Sequence, residues 1–249
     1  APAVILGSGG YEGSVPLMLE SFGENAEYMN PVARGGTFNR GEGITMALKV
    51  GAALAGEWDN FHGEPVDPRS SMPEAVVMTF PYGILVNADG VRFVDEASST
   101  VDEIYEDVCR AIFAQPGKLS YLVSGHRLLE IEGFARATLT DRPPFTHDTL
   151  EDLAHKLGVD AEALTRTVEE FNAAARPEGA SFDPHKADGL AALGLVPSNS
   201  NWARPTLAPP FVAYPIVPAI RFLYGGLPRA PARRTVRSDV GRGPVLLPL

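Results

Sequence analysis

The chain has 249 residues, of which 45% are hydrophobic, and a formal net charge of −10. This is enough apolar material for a sizeable core and excludes global disorder. The acidic balance argues against a nucleic-acid partner bound by the whole surface, and no run of about 18 apolar residues marks a membrane span.

Cys109 is the single cysteine, which leaves no internal disulfide framework and no cysteine-based metal site. The opening Ala-Pro-Ala-Val-Ile-Leu lacks a basic region and is too short for a signal peptide, so it reads as a chain entered in mid-domain. Nothing specifies an organelle, and the cytoplasm is the default expectation. Charge is uneven: Pro228–Leu249 holds five arginines against one acid. Such a basic tail reads as a nucleic-acid or membrane arm, a disordered end, or a sequence that no longer matches its parent.

In chain order, Ala3–Leu6 reads as a buried strand ending in the turn Gly7-Ser8-Gly9-Gly10. A helix is expected over Val15–Phe22, a loop over Arg34–Gly43, and a helix over Ile44–Leu54 with apolar or small residues at helical spacing. Trp58–Pro73 reads as loop. Strands are expected at Ala75–Thr79 and Ile84–Asn87, with a turn at Ala88-Asp89-Gly90 and a returning strand over Val91–Val94. Val101–Ala114 has a helical pattern stopped by Pro116-Gly117, and Leu119–Val123 reads as a strand. Thr149 with Asp152 forms a capping signal for a helix reaching Leu157. Asp160 caps a second helix through Ala175. Gly179–Asn201 reads as loop, and Phe211–Val217 and Ala219–Tyr224 as two strands. The fold class is α/β (mixed α+β).

Four groups of residues suggest chemistry. Gly9 and Gly10 follow a strand, where a backbone without Cβ atoms can approach a phosphate; the spacing is Gly-x-Gly-x-x-x-Gly, and a tight strand–helix turn is the competing reading. Gly41-Glu42-Gly43 opens a helix whose free N–H groups suit a polar or anionic ligand, or simply start the helix. His62 is the histidine best placed for acid–base or substrate contact, or it is a loop residue beside Trp58. Arg92 with Asp95 and Glu96 can bind a carboxylate or relay a proton, or form a structural ion pair. The remaining histidines show no metal-ligand spacing, so no metal is expected.

Taken in order, Val4–Gly13, Asn39–Leu48, Pro81–Glu96 and Phe222–Leu227 resemble successive blocks of the FAD-dependent fumarate reductase/succinate dehydrogenase flavoprotein superfamily. The resemblance covers about Ala3 to Leu227. Asp67-Pro68, Pro81-Tyr82-Gly83-Ile84 and Ser200–Pro205 resemble its tricarballylate dehydrogenase-like branch. The resemblance implies a partial Rossmann-like FAD-binding domain over 1–55, an inserted α+β capping domain that holds substrate over 56–208, return strands over 209–227 and an atypical basic tail over 228–249. It implies FAD as cofactor, with Gly9, Gly10, Gly41, Glu42, Gly43, Gly225 and Gly226 against it. His62, Arg92 and Glu96 are candidate catalytic groups, and Tyr82 is a candidate substrate contact.

The departures from the family pattern are specific. The family's Gly-x-Gly-x-x-Gly block lies upstream of the match. Pro228 onward does not resemble the family's closing flavin block. Thr100 stands where fumarate reductases carry an arginine proton donor, and Phe222 replaces their histidine. The expected function is therefore that of a fragment of an FAD-dependent oxidoreductase. It would dehydrogenate a C–C bond next to a carboxylate or carbonyl in a small-molecule carboxylate or ketone. The alternatives are a non-catalytic remnant consisting mainly of the cap, or a parent acting on 3-ketosteroids.

Overall fold

The computed structural model describes residues 4–175, 183, 185–205, 208–228 and, as backbone, 246–248. The expectations for the basic tail fall almost wholly on residues outside this set. The chain forms two compact units, one from residues 1–63 with 219–249 and the other from residues 64–218.

In the first unit, β1 (Val4–Leu6) pairs in parallel with β8 (Leu246–Pro248). Helix α1 (Val15–Phe22) starts at Ser14, whose side chain caps it, and carries Pro16 in its first turn, where a missing N–H costs nothing. Met18 and Phe22 give α1 its buried side. A short strand β2 (Asn30–Pro31) lies parallel to the end of β7 (Phe211–Leu223), with Asn30 opposite Ala219 and Pro31 opposite Ile220.

Helix α2 (Glu42–Lys49) is shorter than its hydrophobic pattern suggests. Gly51 adopts φ +86°, and the amides of Gly51 and Ala52 fold back onto the carbonyls of Leu48 and Ala47. This glycine-terminated cap ends the helix before the apolar pattern does. Phe22 of α1 packs edge-on against Phe61, with ring centroids 6.2 Å apart.

The second unit is built on a sheet with helices on both faces. β4 (Ile84–Asn87) runs antiparallel to β5 (Ser120–Gly125), and β5 runs antiparallel to β7 (Phe211–Leu223), with Leu85 opposite Leu122 and Leu122 opposite Tyr214. β6 (Phe145–His147) adds to β7. Successive side chains of a strand point to opposite faces. Ile84, Val86, Tyr121, Val123 and Ala213 accordingly pack with α5 (Leu150–Leu157) and α6 (Ala161–Ala174). Leu85, Leu122, Val212, Tyr214 and Ile216 pack with Ile104, Val108 and Ile112 of α3 (Val101–Phe113). A short α4 (Phe134–Ala137) follows β5. Both faces of β5 are buried, which is why its sequence lacks polar–apolar alternation.

Three expectations are corrected. The segment read as loop between Trp58 and Pro73 contains β3 (Phe61–Val66), which pairs with β7 although it carries Gly63 and Pro65. The strands expected at Ala75–Thr79 and Val91–Val94 reduce to isolated bridges of Val76, Val77 and Arg92. The two strands expected around Pro218 are one strand. The antiparallel ladder with β5 ends at Ile216 and the parallel ladder with β2 begins at Ala219, so Pro218 falls where neither ladder needs its N–H.

Candidate functional site

In the first unit the glycine blocks converge. After β1 the chain turns through Gly7, Ser8 and Gly9, all exposed, with Gly9 at φ +75°. The amide of Gly41 donates to the Gly10 carbonyl at 3.1 Å, and that of Gly13 to the Asn39 carbonyl at 2.7 Å. A Cβ on Gly43 would collide with the Ser8 hydroxyl. The turn after β1 therefore lies directly on the start of α2.

Gly41 takes the left-handed conformation (φ 72°, ψ 21°) at the N-cap of α2 and supplies no side-chain cap. The first-turn amides of α2 have no intrahelical acceptor, and the positive end of the helix dipole faces the same way. The Glu42 side chain is exposed. The exposed backbone here is that of Gly7–Gly9 and Glu42, while Gly41 and Gly43 are buried, an arrangement suited to a phosphate-bearing or polar ligand.

Two side chains crowd the glycines of this turn. Asn39 donates from Nδ2 to Oε1 of the buried Glu12 at 2.6 Å. A Cβ on Gly10 would lie 2.6 Å from Glu12 Oε2, and one on Gly9 would lie 3.1 Å from Asn39 Oδ1. Below them, the fully buried Tyr11 stacks on Trp58 with centroids 4.8 Å apart. Its hydroxyl donates to the Trp58 carbonyl at 3.1 Å and accepts from Ser21 Oγ at 3.2 Å. Burial pushes the Tyr11 phenol up.

Gly225 closes against this stack, since a Cβ there would lie 2.8 Å from the Trp58 ring and 2.9 Å from the Tyr11 hydroxyl. Gly226 exchanges two backbone hydrogen bonds of 2.9 Å with Ala55. Tyr11 thus joins glycine blocks far apart in sequence. His62, on β3, stacks in parallel on the half-exposed Phe222 of β7, with centroids 4.5 Å apart and an interplanar angle of 6°.

The other candidates lie in the second unit. Arg92 and Glu96 form a buried bidentate pair, with Nε to Oε1 at 3.0 Å and Nη2 to Oε2 at 2.6 Å. The same guanidinium donates to the carbonyls of Pro197 and Ser198 at 2.8 and 2.9 Å. Burial pushes the Glu96 carboxyl up, and Arg92 opposes that shift. The geometry ties the 197–198 loop to the segment that follows β4.

Tyr82 stands elsewhere, on the wall of a cavity of about 560 Å3. Met78, Val101, Tyr105, Ile131 and Phe134 supply its apolar surface, and Glu64, Asp102, Glu132, Arg136 and His185 its ionisable groups. Neither Arg92 nor Glu96 lines it. Glu64 is 7% exposed, whereas Asp102 and Glu132 are exposed. The Tyr82 phenol is pushed up to about 12 by burial first and then by Asp183 and Asp102, so it remains a protonated donor at neutral pH. Trp202 meets the Tyr82 ring edge-on at 5.5 Å.

Sequence reasoning missed Tyr11, Trp58, Glu64 and Arg136, because none stands in a spacing that marks chemistry. Among the described residues no cluster of His, Cys, Asp and Glu could hold a metal ion. No helix among them is long and apolar enough to cross a membrane.

A family model described as "FAD binding domain" matches residues 1–239. The chain is 29% identical over 260 residues to a 3-oxosteroid 1-dehydrogenase of Mycobacterium tuberculosis, covering 95% of this chain and 44% of the relative. It is 28% identical over 265 residues to a 4-oxocyclohexanecarboxylate 2-dehydrogenase of Sinomonas cyclohexanicum, covering 98% of this chain and 44% of the relative. The open conformation of a flavocytochrome c3 fumarate reductase shares the fold, with a TM-score of 0.66 and 21% identity over all of this chain and 40% of that one. The chain spans less than half the length of these relatives.

Proposed function

The chain belongs to the FAD binding domain family, with FAD as cofactor, and on that footing we propose that it is part of a dehydrogenase acting on a C–C bond beside the carbonyl of a neutral, largely apolar ketone. FAD when bound supplies the hydride acceptor. The exposed Gly7–Gly9 turn beside an α2 N-terminus without a side-chain cap fits such a group, because glycine backbone there can approach it without a Cβ of its own. Gly9, Gly10, Gly41, Glu42 and Gly43 would hold it, with Gly225 and Gly226 completing that surface. His62 and Phe222 form a flat aromatic face in the same unit.

The observation that carries the ketone reading is the charge of the cavity wall. Glu64, Asp102 and Glu132 stand there against Arg136, the one guanidinium among the described residues of the wall. Such a wall disfavours a tricarballylate-like polyanion, because among the described residues three carboxylates face only Arg136 and His185 as basic groups. Its apolar side chains and the Tyr82 and Tyr105 phenols suit a ring ketone, with the protonated Tyr82 hydroxyl as a donor to the carbonyl oxygen. The named actions of the 3-oxosteroid and 4-oxocyclohexanecarboxylate dehydrogenases favour the same class. Arg92 and Glu96 serve in this reading by holding the 197–198 loop.

The test has two steps. The chain is mixed with FAD, freed of excess cofactor, and its flavin absorbance and fluorescence are recorded. Cyclic ketones and tricarballylate are then offered with an artificial electron acceptor. Retained, quenched flavin and turnover of ketones are expected. Preferential turnover of tricarballylate would reverse the choice of substrate, and a colourless protein would remove the dehydrogenase reading for this chain.

A further inference from the structure

We infer that Trp202 is the positioning residue of the ketone site: its ring, carried on a strained and tightly held backbone, sets the plane of the Tyr82 ring and with it the direction in which the phenol donates. The inference rests on the ketone reading above, in which Tyr82 is the donor to the substrate carbonyl.

Ser200–Pro205 stands out in the sequence, yet none of its residues lines the cavity that holds Tyr82. Its connection to that cavity is the ring of Trp202, which meets the Tyr82 ring at an interplanar angle of 79° with centroids 5.5 Å apart. Trp202 adopts φ 52°, in the left-handed region where a Cβ is crowded and glycine or asparagine is usual. A bulky residue persists there only when its surroundings hold it. Here they do so on every side. The Trp202 amide donates to Asp188 Oδ1 at 2.8 Å, and the indole Nε1 donates to the Asp183 carbonyl at 3.0 Å. The Ala203 amide donates to the Leu190 carbonyl and the Arg204 amide to the Trp202 carbonyl, each at 2.8 Å. One residue earlier, Asn201 Nδ2 donates to the Ala97 carbonyl at 2.8 Å. Trp202 is 4% exposed, but it belongs to neither of the two apolar cores that flank the sheet. Its ring meets Tyr82 instead.

The Tyr82 backbone is fixed independently. Its amide donates to the Thr79 carbonyl at 3.2 Å, and its carbonyl accepts from Ser124 Oγ at 3.3 Å. The direction of the phenol is then set by the side-chain torsions of Tyr82. An edge-to-face neighbour restricts those torsions, because turning either ring loses the contact between ring edge and π face. A hydrogen bond weakens steeply as it bends, so a phenol that swings loses its aim at the carbonyl oxygen.

The test uses the full chain and, as probe, cyclohexanone isotopically labelled at its carbonyl carbon. Binding is followed by saturation-transfer NMR. The carbonyl carbon shift of the bound ketone, extrapolated to saturation, reads the hydrogen bond to its oxygen. Circular dichroism establishes that each variant is folded. The parent is expected to bind the ketone with its carbonyl resonance downfield of that in Tyr82→Phe. Trp202→Leu, which keeps apolar bulk without a ring, is expected to bind within about 10-fold of the parent and to lose most of that downfield displacement. Trp202→Phe is expected to regain part of it. Asp188→Ala releases the Trp202 amide and touches neither ring; it is expected to lose part of the displacement, and it decides the matter if Trp202→Leu does not fold. A carbonyl shift unchanged in the folded Trp202 and Asp188 variants would overturn the assignment and leave Trp202 a purely structural role. A shift unchanged in Tyr82→Phe would overturn it by removing Tyr82 as the donor, while ketone binding stood. Failure of the parent to bind would overturn the ketone reading as well.

Discussion

Gly43 and Ser8 meet so closely that a Cβ on the glycine would collide with the serine hydroxyl. This contact sets the turn after β1 against the first turn of α2, and both parts of the glycine surface depend on it. Gly43→Ala should destabilise the chain by about 1–3 kcal/mol through overpacking and weaken FAD retention. Because the colliding atom is a single hydroxyl oxygen, Ser8→Ala in the same chain should restore much of that loss. Urea unfolding and flavin retention of the two single variants and the double variant check this. Additive losses would mean that the two residues are not coupled. By contrast, a Cβ on Gly13 meets the backbone carbonyls of Gly36 and Thr37, so Gly13→Ala has no comparable side-chain remedy.

The Arg92–Glu96 pair provides a second prediction. Each partner lies in the protein interior, and Arg92 also satisfies the carbonyls of Pro197 and Ser198. Arg92→Met leaves a buried carboxylate and two carbonyls without their donor, and should cost about 3–5 kcal/mol. Glu96→Gln should cost less, since it keeps an acceptor for the guanidinium. If Arg92 served substrate rather than the loop, its replacement would lower ketone binding while leaving the urea midpoint unchanged.

Much of the second unit was legible because its signals are local. The Thr149 and Asp160 caps each bind an amide three residues on, at 3.1 and 2.6 Å, and the Ala88-Asp89-Gly90 turn is organised by the Asn87 side chain. The Arg92–Glu96 pair is four residues apart and was readable as a possible structural contact. What escaped reading depends on partners distant in sequence. β3 holds its strand form through β7 despite Gly63 and Pro65, and β7 crosses Pro218 where its β5 ladder has ended at Ile216 and its β2 ladder begins at Ala219. In the site, the glycine blocks carried their own signal, but Tyr11 and Trp58, which join them, have no motif of their own. The acidity of the cavity arises from Glu64, Asp102 and Glu132, which are scattered in the chain and meet only through the fold.

The caps give a direct measure of how much local signals contribute. Thr149 accepts the Asp152 amide at 3.1 Å, and its hydroxyl lies 2.7 Å from Asp152 Oδ2. Thr149→Ala should therefore lower stability by about 1 kcal/mol. Thr149→Ser should be near neutral, because the oxygen is retained. Chemical denaturation of the three proteins distinguishes a capping role from one of general packing, in which both substitutions would cost alike.

Two tyrosines of the second unit, the buried Tyr214 and the partly buried Tyr82, predict a loss of stability at high pH. Tyr82 and Tyr214 are each pushed up to about 12 from an ordinary 10.0, in both cases first by burial. For Tyr214, Arg69 opposes the shift and Asp67 adds to it. Above pH 10 the unfolded chain releases these protons while the folded chain keeps them, so the folded state binds more protons and its stability falls as pH rises. The contribution is fully present below pH 10 and is lost through the window up to about 12. Near-ultraviolet phenolate absorbance should show these two groups ionising after the exposed tyrosines. Urea midpoints measured across the window should fall less steeply for Tyr82→Phe and Tyr214→Phe than for the parent. An unchanged slope in both variants would mean that the alkaline loss comes from other groups, and that the Tyr82 phenol is more open to water than its place in the cavity wall implies.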